Sequence, residues 1–253
     1  MAIAERDMMG GLAKGLAVIE TFSAERPRQS ITQAAAASGL DRATARRCLL
    51  TLAHHGYADW DGKYFTLTPR VLRLGTACLA AMPLPQIVQP FLDRLSEEIG
   101  ESSSVSILDG AEIVYVARAA QRRVMSISLT PGSRLPAYCT SMGRVMLAAL
   151  PEAEAQALLG VAPLPRRTEK TLTEPAEIMA ELARIRAEGC AVIDQEIEMG
   201  LRSIAVPLLD ARRRTVGALN VGLAAARADS QTLRDRFLPA LLAAQGELRG
   251  LLG

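Results

Sequence analysis

Apolar residues follow two rhythms along the chain. Leu12, Leu16, Ile19 and Phe22 recur three and four positions apart, the spacing of one face of an amphipathic helix. Pro27 closes that segment. Ser30 is placed to cap a short helix through Ala34 and Ala37, which Gly39 stops. Asp41 is placed to cap a third helix, Arg42–His54, with Gly56 at its end. On that helix Ala45, Cys48, Leu49 and Leu52 form the apolar stripe, and Arg42, Ala43, Arg46 and Arg47 project from other faces. The rhythm then shortens: strand-like segments at 57–60 and 63–67 flank Asp61-Gly62, a hairpin signal. Three short helices followed by a hairpin predict a winged helix-turn-helix, with the turn at Ser38-Gly39-Leu40.

Thr68-Pro69 has the form of an N-cap followed by proline in the first helical turn. It opens a segment over 69–81 that contains Leu72 and Leu79 and stops before Pro83. Such a connecting helix is a rigid spacer or a dimer seam. Symmetric DNA sites call for dimers, which favours the seam. Past Pro85, Ile87, Phe91, Leu95 and Ile99 repeat at every fourth residue up to Gly100. Strands are predicted over 104–108 and 112–118 about an Asp109-Gly110 turn, and over 124–129 before a Pro131-Gly132 turn. Helices follow at 141–150, 152–159 and 176–188, a strand at 190–194, a hairpin of 203–209 with 216–223, and a last helix over 230–252. Strands with helices before, between and after them predict an α+β domain. The expected division is a winged-helix module at 1–68, a linker helix at 69–84 and a larger module at 85–253.

Composition agrees with a globular protein: 49% of the 253 residues are hydrophobic and 22% charged. No apolar run approaches the roughly 18 residues that cross a bilayer, and the first nine residues lack the apolar centre of a signal peptide. A cytoplasmic protein with reduced cysteines and no membrane partner is expected. The four cysteines form no CxxC pair, and His54 and His55 are adjacent. Neighbouring helical residues diverge by about 100°, so neither a metal site nor a histidine-based catalytic triad is expected. The net charge of +2 conceals an asymmetry. Residues 26–80 carry eight basic and three acidic side chains, whereas 81–253 carry 19 and 20.

The basic excess gives the first module its chemistry. A recognition helix enters the major groove through its N-terminal half. Arg42, Arg46 and Arg47 are therefore candidates for phosphate and guanine contacts, Thr44 and Ala43 for close approach or a thymine methyl, and Lys63 for a wing contact. In the second module no nucleophile elbow, HExxH, P-loop or GxGxxG occurs. Asp194 and Glu196 form the one acidic cluster considered for acid–base work, the basis of an alternative in which a catalytic domain is fused to a winged-helix head. Without a nucleophile or metal partner that alternative is the weaker, and a polar loop or the rim of a ligand pocket are the other readings of the cluster.

Several motifs together resemble the IclR family of bacterial transcriptional regulators: GLAKGLAVIETF, GLDRATARRCLLTLAHHGY, YFTLTPRVLRLG, PGSRLPAYCTSMGRVMLAAL, DQEIEMGLRSIAVPLLD and VGALNVG. The wording is most like the branch governing protocatechuate and 4-hydroxybenzoate catabolism through the β-ketoadipate pathway. The resemblance implies a winged helix-turn-helix, a linker helix and a GAF-like effector-binding domain in a homodimer or homotetramer. It implies double-stranded operator DNA and a small aromatic or dicarboxylic acid as partners, with no cofactor and no catalytic residue. Carried over motif by motif, it places Leu135, Ser141 and Met142, Val124 and Ile127, Asp194 and Ser203, and Asn220 and Gly222 at the effector. Some members have Cys at the position of Ser203 and Ser at that of Asn220, so hydroxyl and amide groups here suit carboxylate or phenol oxygens. Arg202 is divided evenly between a carboxylate anchor and a structural or interface arginine.

Overall fold

A computed structural model describes residues 4–23, 25–121 and 129–252. The chain divides into two compact units, Met1–Ala80 and Ala81–Gly253.

The first unit contains α1 (Gly10–Glu20), β1 (Arg28–Ser30), α2 (Ile31–Ser38), α3 (Arg42–His54), β2 (Ala58–Trp60), β3 (Tyr64–Leu67) and α4 (Leu72–Ala81). The capping signals act as the sequence predicts. Ser30 and Gln33 form a reciprocal capping box on α2, Gly39 ends it at φ 68°, and Asp41 accepts the Thr44 N–H at 2.9 Å. Val18, Ala34, Leu49, Ala58 and Phe65 form the core where the three helices meet the wing. The wing has three antiparallel strands in the order β1-β3-β2, with Ser30 opposite Tyr64. The hairpin was predicted, whereas β1 was not.

The second unit contains α5 (Pro83–Ile99), β4 (Ser102–Asp109), β5 (Glu112–Ala119), β6 (Arg134–Pro136), α6 (Ser141–Ala149), α7 (Glu152–Leu159), α8 (Pro175–Glu188), β7 (Ala191–Asp194), β8 (Leu201–Leu209), β9 (Thr215–Ala224), α9 (Ser230–Thr232) and α10 (Leu238–Arg249). One antiparallel six-stranded sheet runs β6-β5-β4-β9-β8-β7. Val88, Leu92, Leu95, Phe237 and Leu241 of the flanking helices pack with Val105, Val116, Ile204 and Val221 of the sheet. Met142, Val145, Ile178 and Leu182 pack with Ile113, Tyr115, Ala205 and Ala218 in a separate core. The sheet therefore lies between two helical layers, as period-two alternation of its strands demands. Among the described residues no single helix is long and apolar enough to cross a membrane.

Three elements differ from expectation. Pro83 begins α5 rather than standing before it, because proline fits the first helical turn where its missing N–H has no partner to lose. The stretch 134–136, for which no strand was predicted, is an edge strand paired with β5. The last helix has a π-helical turn at Leu233–Phe237 and ends at Arg249. The strand predicted at 124–129 falls largely outside the described residues.

Candidate functional site

Asp41 fixes where α3 begins, and this orients the basic side chains. Arg42, Arg46 and Arg47 are exposed, and none enters an ion pair among the described residues. Thr44 departs from the expectation of a DNA contact. It is 8% exposed and lines a groove between α1 and α3 with Leu16, Ile19 and Cys48. Its position four residues before Cys48 puts it beside the apolar stripe, facing α1. Lys63 stands exposed at the wing turn, 5.1 Å from the Tyr64 ring. Asp61 sets that turn by accepting the N–H groups of Tyr64 and Lys63. Those bonds and the Arg28 ion pair bring its carboxyl down to about 2, so the turn stays fixed at neutral pH.

In the second unit a cavity is lined by Leu135, Ser141, Met142, Ser203, Asn220 and Gly222, six of the nine positions expected at an effector. Val124 and Ile127 lie outside the described residues. Asp194 is not among the described lining residues, which corrects the expectation for it. Burial pushes its carboxyl up, but hydrogen bonds from Arg202, Lys170 and Gln195 outweigh this and hold it at about 2. Arg202 is committed to the same cluster. It pairs with Asp194 and donates to the Ala225 and Ala228 carbonyls at 2.7 and 2.6 Å. These bonds tie β7, β8 and the chain after β9 together, the arrangement of a structural arginine.

The sequence missed Tyr115, Arg118, Leu129, Thr140, Ile197 and Leu201, which complete the lining. Pairing defines the floor: Arg118 of β5 is opposite Ser104 of β4, and Ser104 is opposite Asn220 of β9. Residues paired across antiparallel strands share a face, so the three form one row. The next row holds Gly222 and Ser203. Arg118 Nη1 donates to Ser104 Oγ at 3.0 Å. Thr140 caps α6 above this floor by accepting the Gly143 N–H at 3.3 Å. Burial pushes the Tyr115 phenol up to about 12, so it is neutral. Two buried polar atoms in the lining, Ser141 Oγ and Asn220 Oδ1, have no hydrogen-bond partner among the described residues. Such atoms are rare in a folded interior and point to a ligand or water that satisfies them.

Beneath the site lies a buried ion pair. Arg144 Nη2 meets Glu196 Oε2 at 2.6 Å, and the two side chains are 2% and 9% exposed. Arg144 Nε also donates to the Tyr138 carbonyl, and Glu196 Oε2 accepts the Leu172 N–H at 3.1 Å. The pair binds α6, which carries Ser141 and Met142, to the loop that carries Ile197. Burial pushes the Glu196 carboxyl up despite Arg144. Asp194 and Glu196 are thus engaged by different cations and do not converge as an acid–base pair. Among the described residues no group of three or more His, Cys, Asp and Glu side chains converges as metal ligands.

The family models for the IclR helix-turn-helix domain and for the C-terminal part of bacterial transcriptional regulator IclR match residues 11–62 and 76–248. The Pca regulon regulatory protein of Pseudomonas putida is 45% identical, over 96% of this chain and 84% of that protein. The p-hydroxybenzoate hydroxylase transcriptional activator of Acinetobacter baylyi is 37% identical, over 99% and 94%. A solved structure of the inducer-binding domain of the PobR transcription factor from Acinetobacter, a double mutant in complex with 3-hydroxybenzoic acid, superposes with a TM-score of 0.61 and 33% identity, over 66% of this chain and 98% of that one.

Proposed function

The chain belongs to the IclR family of bacterial transcriptional regulators, and from that premise we propose that it governs genes of aromatic-acid catabolism by binding operator DNA through α3 and a small acid through the second-unit cavity. The observation that carries the effector reading is the pair of unpartnered buried atoms, Ser141 Oγ and Asn220 Oδ1, in one cavity. The family is one of regulators, and the two acidic side chains that suggested an enzyme are held in separate ion pairs. The relatives' names, Pca regulon regulatory protein and p-hydroxybenzoate hydroxylase transcriptional activator, support the pathway.

In this reading residues 1–68 are the DNA-binding module, 69–84 the linker and 85–253 a GAF-like sensing module. The protein works in the cytoplasm as a homodimer or homotetramer on double-stranded DNA. Leu72 and Leu74 on α4 are 68% and 54% exposed, which suits a seam between copies. Arg42, Arg46 and Arg47 contact the operator, with Lys63 on the wing. An acid with different affinity for two arrangements of the dimer shifts their populations, and by linkage the operator affinity.

The test is a gel-shift titration with Arg46→Ala beside thermal shifts with Asn220→Ala. Arg46→Ala weakens operator binding and lowers the slope of log affinity against log salt by about one. Asn220→Ala keeps operator binding and loses stabilisation by hydroxybenzoates. Unchanged DNA affinity in Arg46→Ala removes α3 as the reading helix.

A further inference from the structure

Further along β4 and β9 the sheet parts. Their register runs from Ser102–Gly222 to Ser106–Ala218 and stops there. Residues 107–109 stay paired with β5, and Thr215 and Gly217 with β8, yet the two stretches are not paired with each other. Gly217 marks the point of divergence: a Cβ there would stand 2.8 Å from the Ser106 carbonyl oxygen, so the absence of a side chain lets the strands meet before they part. Beyond it opens a cleft of about 460 Å³, within the roughly 300–1,000 Å³ of binding clefts. Ile107 and Val216 pack with the core on one side of the sheet, and Leu108, Met146 and Leu150 with the core on the other. The cleft is thus apolar towards both faces. Its mouth is cationic: Arg213 and Arg214 line it, and no carboxylate is among the described lining residues. Asp210 pairs with Arg214 and fixes the turn by accepting the N–H groups of Arg212 and Arg214 at 2.9 and 2.8 Å. Arg212 and Arg213 are exposed and enter no ion pair among the described residues. Arg213 stands at φ 63°, a left-handed conformation that costs a side chain energy and costs glycine none.

We propose that this cleft docks an extended segment of a partner protein, in which consecutive apolar residues are flanked by carboxylates. Three observations carry it. The inner edges of β4 and β9 have lost one another as partners past Ser106 and Ala218, and such edges are met by the main chain of an added extended segment. A strand turns successive side chains to opposite faces. Both faces are apolar here, so the guest is apolar at consecutive positions rather than at every second one. The cationic turn selects the flanks. Arg212 and Arg213 hold charge that nothing described on this chain neutralises, and a strained arginine where glycine would sit free points to a use for that charge outside folding.

Fluorescence anisotropy of the full-length protein tests this with labelled hexapeptides that carry all pairings of Val, Ile, Leu and Phe at the two central positions between paired glutamates. A matching set has lysines in place of the glutamates. Wild type is expected to bind the best acidic peptide at least about tenfold tighter than its lysine counterpart, and to lose it when proline replaces a central residue and removes an N–H. Arg213→Gly should weaken that peptide by about three- to fivefold, the worth of one exposed ion pair. Its melting temperature should hold or rise, because glycine relieves the left-handed strain. Arg213→Glu should weaken the peptide further. Equal binding of the acidic and lysine sets, or no binding of either, overturns the docking site. Unchanged peptide affinity with a lower melting temperature in Arg213→Gly makes the arginine structural and overturns its role. Tolerance of proline overturns pairing with the strand edges. Succinate bound as tightly as the peptide makes the cleft a small-anion site instead. Sedimentation velocity supplies the last check: a smaller assembly in unliganded Arg213→Glu than in wild type means that a second copy covers the cleft, and the partner reading falls.

Discussion

Arg144→Met tests how the effector site is held. The replacement fills similar space with an apolar chain and removes the partner of Glu196. Both side chains are more than nine-tenths buried, so solvent does not screen the loss. The carboxylate keeps the Leu172 N–H alone. Breaking a buried pair from one side costs about 3–5 kcal/mol, a large share of a domain's stability. The cost depends on pH in a definite direction. The folded Glu196 carboxyl is already raised by burial. Its stabilising contribution is complete below the unfolded carboxylate range and is lost as pH rises through the folded value. Without Arg144 this effect grows, so the gap between wild type and variant widens from pH 5 to pH 8. Urea unfolding at the two pH values measures it. The single tryptophan, Trp60, lies in the first unit, so the second unit is followed by circular dichroism. A loss under about 1 kcal/mol, or a gap that does not widen with pH, refutes the account. Arg144→Met with Glu196→Leu should recover most of the stability, since no buried charge is then left alone.

Gly143→Ala should destabilise the second unit by about 1–3 kcal/mol, because a methyl there would fall on the Ala137 backbone, with the carbonyl carbon 2.6 Å away; an unchanged melting temperature would show that α6 can shift. Arg202→Ala should lower the melting temperature while leaving 4-hydroxybenzoate affinity within about threefold, since it leaves two carbonyls and Asp194 short of a donor; selective loss of ligand affinity would make it an anchor after all. The folded Asp194 carboxyl at about 2 lies below its unfolded value. Its contribution is therefore present above the ordinary aspartate range and falls away as the pH drops towards 2, and acid titration of Arg202→Ala should show that part of the transition missing.

Local chemistry made the head legible. Ser30, Gly39 and Asp41 set helix ends through bonds to residues three or four positions away, and Asp61-Gly62 set the wing turn. The arginines of α3 were readable because charge clusters are visible in sequence. Thr44 was misplaced because its inward turn depends on how α1 lies across α3. The strand β1 was missed because three residues, Arg28–Ser30, make a strand only by pairing with β3.

Family motifs located part of the effector site, including Ser141, Ser203 and Asn220, but no motif marks Arg118 or Tyr115. The start of β4 was likewise hidden: Ser102–Asp109 opens with serines, which carry no apolar signal, yet Ser103 is buried against Ser96 and the Leu92 carbonyl. The sequence by itself determined the two modules, the order of most helices and strands, the basic character of the head and the family. Only the tertiary structure decided which polar groups are spent and which are free. Asp194 and Arg202 consume one another, Arg144 and Glu196 do the same, and Arg118, Ser141 and Asn220 keep bonding capacity within one cavity. The reason is that hydrogen bonds and ion pairs are satisfied between residues far apart in sequence, such as Arg144 with Glu196. Strand register, which local pattern leaves open, brings Arg118, Ser104 and Asn220 into a single row.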